Sequence, residues 1–65
     1  MSGTENLIGT MAEVLEWSDH EGSVRAEGER WKASGMRGLK RGQRVKIVRL
    51  VGLSVIVTKL DSKES

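Results

Sequence analysis

The chain has 65 residues, of which 11 are basic and 9 acidic, and it contains no cysteine. This length allows one small domain, and the absence of cysteine excludes disulfides and thiolate-bound metals. No apolar run approaches the roughly 18 residues that a transmembrane helix needs. The N-terminus also lacks the basic and apolar regions of a signal peptide. The composition therefore predicts one soluble domain without a membrane span of its own.

The two ends of the chain are polar and show no apolar periodicity. Residues 1–6 and residues 61–65 are therefore predicted to be disordered. The Met-Ser-Gly-Thr start is equally typical of a remnant left by protein expression. Residues 7–60 remain as the folded domain.

Eight glycines interrupt every window long enough for a helix, whereas alternation of apolar and polar residues predicts β-strands. The five predicted strands span residues 8–17, 23–27, 30–33, 43–51 and 53–60. The alternation assigns to the core Val24, Ala26, Trp31, Val45, Ile47, Val55 and Val57. The turns are predicted at residues 18–22, 28–29 and 51–52, and the longest loop spans residues 34–42.

Finer features of the alternation make further predictions. Ala12, Val14 and Glu16 are predicted to share one face of the first strand, and Leu53 is predicted to point inward from the last. Val48 directly follows the inward residue Ile47, and this break in the alternation predicts a β-bulge or a bend. Trp17 stands beside a turn and is predicted to be exposed.

Five short strands with glycine at the corners predict an all-β, five-stranded small barrel. An irregular connection between the third and fourth strands is typical of the oligonucleotide/oligosaccharide-binding (OB) barrel. An SH3-like barrel also has five strands. The pattern of residues alone leaves both barrels open.

Nothing in the sequence predicts catalysis or cofactor binding. Ser18, Asp19 and His20 are neighbours in a turn, and a catalytic triad needs a base that a third, buried group orients. The glutamates mostly occupy outward strand positions, where pairing with surface bases is the usual role. No spacing of ligands indicates a metal site. We therefore expect a protein that is not an enzyme and that binds no cofactor or metal.

Charge is segregated along the chain. Positions 13 to 29 contain six acidic residues and one base, whereas positions 37 to 49 contain six bases and no acid. This basic run predicts an interaction surface made of Arg37, Lys40, Arg41, Arg44, Lys46 and Arg49. Single-stranded nucleic acid would need several stacking aromatic rings, and the chain has two tryptophans and no Phe or Tyr. Nucleic acid is thus the alternative to a protein partner, and anionic lipid is a third candidate.

Three motifs carry a resemblance to a known family. They are L-I-G at residues 7–9, G-x-V-x-x-x-G-E-x-W-x-A at residues 22–33, and G-x-x-V-x-I-V-x-x-x-G-L-x-V-x-V at residues 42–57. In this order and at these separations, the chain resembles the C-terminal soluble domain of NfeD-like (nodulation formation efficiency D) proteins.

The resemblance implies a five-stranded OB-type barrel at the end of a membrane-anchored parent protein. It implies that the domain lies in the aqueous phase, on the cytoplasmic side. It also implies a protein partner of the stomatin/prohibitin type and a role in regulating membrane protease activity. The family's protease residues lie in a separate domain, so no catalytic residue transfers to this chain.

Overall fold

A computed structural model describes residues 7–60, which form five β-strands joined by tight turns and one longer loop. The strands are β1 (Met11–Ser18), β2 (Glu21–Ala26), β3 (Glu29–Gly35), β4 (Arg44–Val51) and β5 (Ser54–Lys59). This confirms the predicted all-β class. Within the same range no helix is long and apolar enough to cross a lipid bilayer. The disorder predicted for residues 1–6 and 61–65 lies outside the described residues.

The strands close into a barrel in the order β1-β2-β3-β5-β4. Neighbouring strands are antiparallel except β3 and β5, which run parallel from Lys32 opposite Ser54 to Gly35 opposite Val57. A three-stranded meander followed by a hairpin whose second strand returns to β3 is the Greek-key arrangement of an OB barrel. The OB-type barrel is therefore confirmed over the SH3-like alternative.

Small and medium aliphatic side chains fill the barrel. Six of the seven predicted core residues are buried, namely Val24, Ala26, Val45, Ile47, Val55 and Val57. Trp31 packs at the edge of this core and is only half-buried. The buried core also contains Ala12, Val14 and Ala33 from the strands, and Leu7 and Leu39 from outside them.

Two β-bulges bend the strands around the barrel. The shift between Ile47 and Arg49 in β4 confirms the bulge predicted at Val48. A second shift, between Val14 and Glu16 in β1, is not predicted. Because a bulge inserts one extra residue, it turns Glu16 away from the face of Val14. The prediction that Glu16 shares a face with Ala12 and Val14 is therefore wrong, since those two residues are buried and Glu16 is exposed.

The chain enters β1 through a turn, so the strand predicted from residue 8 begins too early. Thr10 donates both its N–H and its hydroxyl to the Leu7 carbonyl, at 3.0 and 2.7 Å, and this closes the turn. The Gly9 N–H donates to the Ile47 carbonyl at 2.7 Å, and the Ile47 N–H donates to Thr10 at 2.9 Å. These bonds hold the segment against β4 and help to bury Leu7.

The first turn is tighter than the sequence predicts, and the second is displaced by one residue. The strands β1 and β2 continue until only Asp19 and His20 remain between them, and Asp19 takes a φ of 62°. Between β2 and β3 the turn residues are Glu27 and Gly28, with φ values of 54° and 76°. Positive φ at both central positions is the requirement of a type I′ hairpin turn. The predicted turn at residues 28–29 is thus one residue late.

The last turn corrects the prediction for Leu53. Gly52 takes a φ of 63° and β5 begins only at Ser54, so Leu53 lies in the turn and not in the strand. It is 84% exposed, and the prediction that it points inward is wrong. The alternation predicted for β5 holds from Val55 onward, where Val55 and Val57 are buried.

The loop at residues 36–43 completes the barrel beside β1. Leu39 in this loop is buried in the core. The Gly42 N–H donates to the Val14 carbonyl, and the Val14 N–H donates to the Gln43 carbonyl, both at 2.8 Å. The loop therefore continues the hydrogen bonding of β1 beyond Glu13, the last residue of β1 that pairs with β4.

We predict that Gly22→Ala strongly destabilises the fold. A Cβ at Gly22 would clash with the Glu16 carbonyl oxygen and lie 2.7 Å from the Trp17 Cα. Because both are backbone atoms, β1 must move, and the free energy of unfolding should fall by about 3 kcal/mol. Urea unfolding followed by tryptophan fluorescence measures the loss. Gly28→Asn is the control, since asparagine tolerates positive φ and the position is open. Equal stability of the two variants would contradict the prediction.

Candidate functional site

The six predicted surface bases are all exposed, and the fold divides them into two groups. The loop bases, which lie between β3 and β4, are Arg37, Lys40 and Arg41. The strand bases, which lie on β4, are Arg44, Lys46 and Arg49. The predicted basic surface therefore draws its residues from two elements of the fold.

The strand bases have few acidic neighbours. Arg44 lies opposite Glu13 of β1, whereas Lys46 and Arg49 lie opposite uncharged residues of β1 and β5. None of the three forms an ion pair with any residue between positions 7 and 60. Their charge is consequently available to a ligand.

One of the loop bases, Arg37, lies near the turn between β1 and β2. Arg37 Nε is 3.4 Å from the Asp19 carboxylate, and the two side chains are 77% and 59% exposed. Such an exposed pair contributes little to stability. Lys40 and Arg41 form no ion pair within the described part of the chain. The loop bases can therefore take up a partner's carboxylates without disrupting the fold.

A groove that the sequence did not predict runs along β1, β2 and β3. It has a volume of about 600 Å³ and is open to solvent. Its walls combine both tryptophans of the chain with side chains of both charges. The lining residues are Glu16, Trp17, Ser18, Glu21, Gly22, Ser23, Arg30, Trp31 and Lys32.

Hydrogen bonds fix the two tryptophan rings in this groove. Trp17 Nε1 donates to the Met36 carbonyl at 3.1 Å, and Trp31 Nε1 donates to the Ala26 carbonyl at 3.2 Å. Both rings pack against the core and both are half-buried. The sequence distinguishes a core Trp31 from an exposed Trp17, whereas the structure gives the two rings the same intermediate position. Each ring therefore supports the fold and also contributes to the groove.

Charged side chains of both signs border the rings. Arg30 Nη2 donates to Glu16 Oε2 at 3.0 Å, and these side chains are 66% and 67% exposed. Ser23 is buried beside them, and its hydroxyl lies 3.5 Å from the same carboxylate oxygen. Glu21 and Lys32 add one charge of each sign. Aromatic rings with a polar border suit an amphipathic protein segment, because the rings supply contact area and the charges orient the partner.

The groups that could support catalysis or bind a metal are exposed and isolated. His20 Nδ1 lies 3.0 Å from Asp19 Oδ2, and both side chains are more than half exposed, at 56% and 59%. No hydrogen bond joins Ser18 to this pair in the described structure. From position 7 to position 60, no three acidic or histidine side chains are grouped so that they could hold a metal ion. The arrangement offers surfaces for binding.

Alternation along single strands does not reveal this groove. The unpredicted bulge after Val14 turns Glu16 outward, and the tight turn after Ser18 sets Trp17 opposite Gly22. Glycine at this position allows the backbones of β1 and β2 to lie close together. The predicted turn at residues 18–22 is too long to reveal this pairing. A two-residue turn at Asp19 and His20 sets the hairpin register that pairs Trp17 with Gly22.

Comparison with known proteins identifies relatives of the whole described domain. Residues 4–59 match the model of a family described as the NfeD-like C-terminal, partner-binding domain. The chain is 37% identical over 60 residues to a membrane-bound protease of Pyrococcus horikoshii, covering 89% of this chain. It spans only 14% of the length of that protease.

Two solved structures share the fold. One is the C-terminal domain of a stomatin operon partner protein from Pyrococcus horikoshii, with 32% identity, a TM-score of 0.80, and coverage of 92% of this chain and 97% of that one. The other is the soluble domain of a Corynebacterium glutamicum membrane protein implicated in regulation of membrane protease activity. It shows 33% identity, a TM-score of 0.77, and coverage of 88% and 97%.

We predict that the ionic border of the groove is dispensable for folding, whereas its rings are not. Glu16→Gln should change the free energy of unfolding by less than about 0.5 kcal/mol, because the ion pair with Arg30 is exposed. Trp31→Ala should lower it by roughly 2 kcal/mol through lost core contact. Thermal and urea unfolding measure both changes. A larger loss from Glu16→Gln than from Trp31→Ala would contradict this division of roles.

Proposed function

The chain belongs to the family of NfeD-like C-terminal, partner-binding domains, and we propose that it is a non-catalytic protein-interaction module. In this proposal the domain lies in the aqueous phase, on the cytoplasmic side, at the end of a membrane-anchored parent protein. It holds a protein partner and thereby regulates a membrane protease or a stomatin-type assembly.

The groove between the two tryptophans is the observation that carries this proposal. Interfaces concentrate their binding energy in a few aromatic and arginine side chains surrounded by polar residues. Trp17, Trp31 and Arg30 bring those residue types together in one concavity. The face formed by the second and third strands is also where OB barrels commonly bind their ligands. A partner segment with an apolar side chain between the rings and charges at both borders fits this groove.

A stomatin/prohibitin-like membrane protein is the proposed partner. The Pyrococcus horikoshii protease matched in sequence is named as membrane-bound, and the solved C-terminal domain from the same organism is named as that of a stomatin operon partner protein. The Corynebacterium glutamicum relative is described as a membrane protein implicated in regulation of membrane protease activity. These names support a partner that is itself at the membrane.

The loop bases are proposed as a second contact with the same partner. Arg37 pairs with Asp19 in the turn that follows β1, and Trp17 donates to the carbonyl of Met36 in the same loop. The loop is thus tied to one end of the groove. Exposed bases at the border of an interface increase the association rate and set its orientation more than they add affinity.

We predict that charge reversal in the groove weakens partner binding. Arg30→Glu should place two carboxylates side by side at the border and raise the dissociation constant about tenfold or more. The binding probe is the purified stomatin-type protein of the source organism, titrated by calorimetry. Lys59→Glu is the matched control, because Lys59 is an exposed base of β5 outside the groove.

Comparison of the two variants distinguishes a specific contact in the groove from a general effect of net charge. A loss confined to Arg30→Glu supports the groove, whereas equal losses in both variants would assign the effect to net charge. No binding by the unchanged chain would reject the stomatin-type partner. Circular dichroism of each variant verifies that the barrel remains folded.

Single-stranded nucleic acid, the alternative suggested by the basic run, should bind weakly. The groove holds the rings of Trp17 and Trp31 but also the carboxylates of Glu16 and Glu21, which repel phosphates. We expect no change in the fluorescence anisotropy of labelled single-stranded DNA or RNA up to high micromolar protein at low salt. Salt-sensitive binding that disappears when Lys40, Arg41 and Arg44 are replaced with Glu would instead establish the alternative.

A further inference from the structure

The tip of the β4–β5 hairpin exposes apolar side chains at a place where polar residues are usual. Leu53, in the turn, is 84% exposed, and Val51, the last residue of β4, is 54% exposed. Turns ordinarily carry Gly, Asn, Asp, Ser or Pro, each of which stabilises the turn geometry. Leucine has no such role at this position and contributes nothing to the core. These side chains protrude from the barrel, so they form a convex apolar tip.

The tip lies in a stretch of the sequence that is rich in bases. Residues 30–60 include nine Lys or Arg and no Asp or Glu, and the one acidic residue of the neighbouring strand β3 is its first residue, Glu29. Arg49 lies two residues before Val51, and Lys32 of β3 lies opposite Ser54, the residue that follows Leu53. Neither base forms an ion pair within the described residues. The apolar tip is therefore flanked by uncompensated positive charge on both sides.

We propose that this tip docks the domain on an anionic lipid bilayer. Leu53 and Val51 enter the interface between head groups and acyl chains, while Arg49 and Lys32 contact lipid phosphates. This combination of buried apolar area and electrostatic attraction is how peripheral proteins bind anionic membranes. The inference adds a second binding surface to the protein-binding groove and does not depend on the partner proposed for that groove.

Lipid fits this surface better than another protein chain does. A second copy would bring its own basic residues against Arg49 and Lys32, and the like charges would repel. Two protruding side chains also cover far less area than the roughly 800 Å² per partner of a stable protein interface. A bilayer imposes no requirement for a complementary concave surface and supplies the missing negative charge.

Vesicle co-sedimentation of the full chain tests the proposal. The probes are vesicles of phosphatidylcholine alone and vesicles in which about one third is phosphatidylserine, at low and high salt. We expect binding to the anionic vesicles that weakens at high salt, and little binding to neutral ones. Leu53→Asn should weaken the binding about tenfold, and Arg49→Glu should weaken it about fivefold or more. Leu53→Asn also introduces a good turn residue, so loss of folding would not explain the effect.

Two matched controls restrict the result to the tip. Ile8→Ser removes another apolar residue that is 50% exposed in a turn, and Lys40→Glu reverses a base in the loop before β4. Ile8→Ser should leave vesicle binding unchanged, and Lys40→Glu should weaken it less than Arg49→Glu does. Equal losses across all four variants, or no binding by the unchanged chain, would overturn the proposal. Self-association that Leu53→Asn abolishes, without vesicle binding, would assign the tip to a second copy.

A fluorescent label tests the orientation directly, because the chain has no native cysteine. A polarity-sensitive fluorophore attached to Leu53→Cys should shift its emission to shorter wavelength with anionic vesicles. The same label on Ile8→Cys should not shift. A shift at Ile8→Cys alone would show that another face meets the bilayer and would reject docking through the tip. Arg30→Glu should alter partner binding without abolishing either vesicle result, which keeps the two proposals separate.

Discussion

The parallel pairing of β3 with β5 is the contact on which the rest of this structure depends. It joins the meander of β1, β2 and β3 to the β4–β5 hairpin, and together with the β1–β4 pairing it leaves the sheet without an open edge. A chain of 65 residues has little apolar surface to bury. Closing the barrel makes this small apolar surface sufficient for a core, because the inward side chains of all five strands pack together in one interior. Ala33 opposite Val55, both fully buried, shows how closely the two halves approach.

Local patterns in the sequence predict the strands and most of the core, because alternation depends only on neighbouring residues. The same alternation misleads where a residue continues the pattern without belonging to a strand, as Leu53 does before Val55. The β4 bulge is predicted because Val48 directly follows Ile47 and breaks the alternation. Leu15 follows Val14 in the same way, but the β1 bulge is missed because these two residues are assigned to opposite faces of a regular strand. The choice between two five-stranded barrels rests on the β3–β5 pairing, which joins residues more than 20 positions apart and leaves no local signal.

The groove illustrates why a binding site is harder to predict than a core. Trp17 and Trp31 are separated in sequence and come together through the hairpin registers of β1, β2 and β3. The six bases are close in sequence, and the fold places three of them in the loop before β4 and three on β4. Sequence resemblance indicated the family, and the structure then supplied the surfaces on which the proposals rest. The aromatic groove and the apolar hairpin tip are both consequences of turn geometry that alternation does not encode.

The loop at residues 36–43 also has a consequence for how the molecule folds. It is the only covalent link between a three-stranded meander and a two-stranded hairpin, each of which is held by pairing between consecutive strands. Closing the barrel requires these two units to pair along both β3–β5 and β1–β4, and the loop sets their effective concentration. The backbone of the loop also bonds to Val14 in the closed barrel. We therefore expect the length of this loop to affect the entropy cost of closing the barrel.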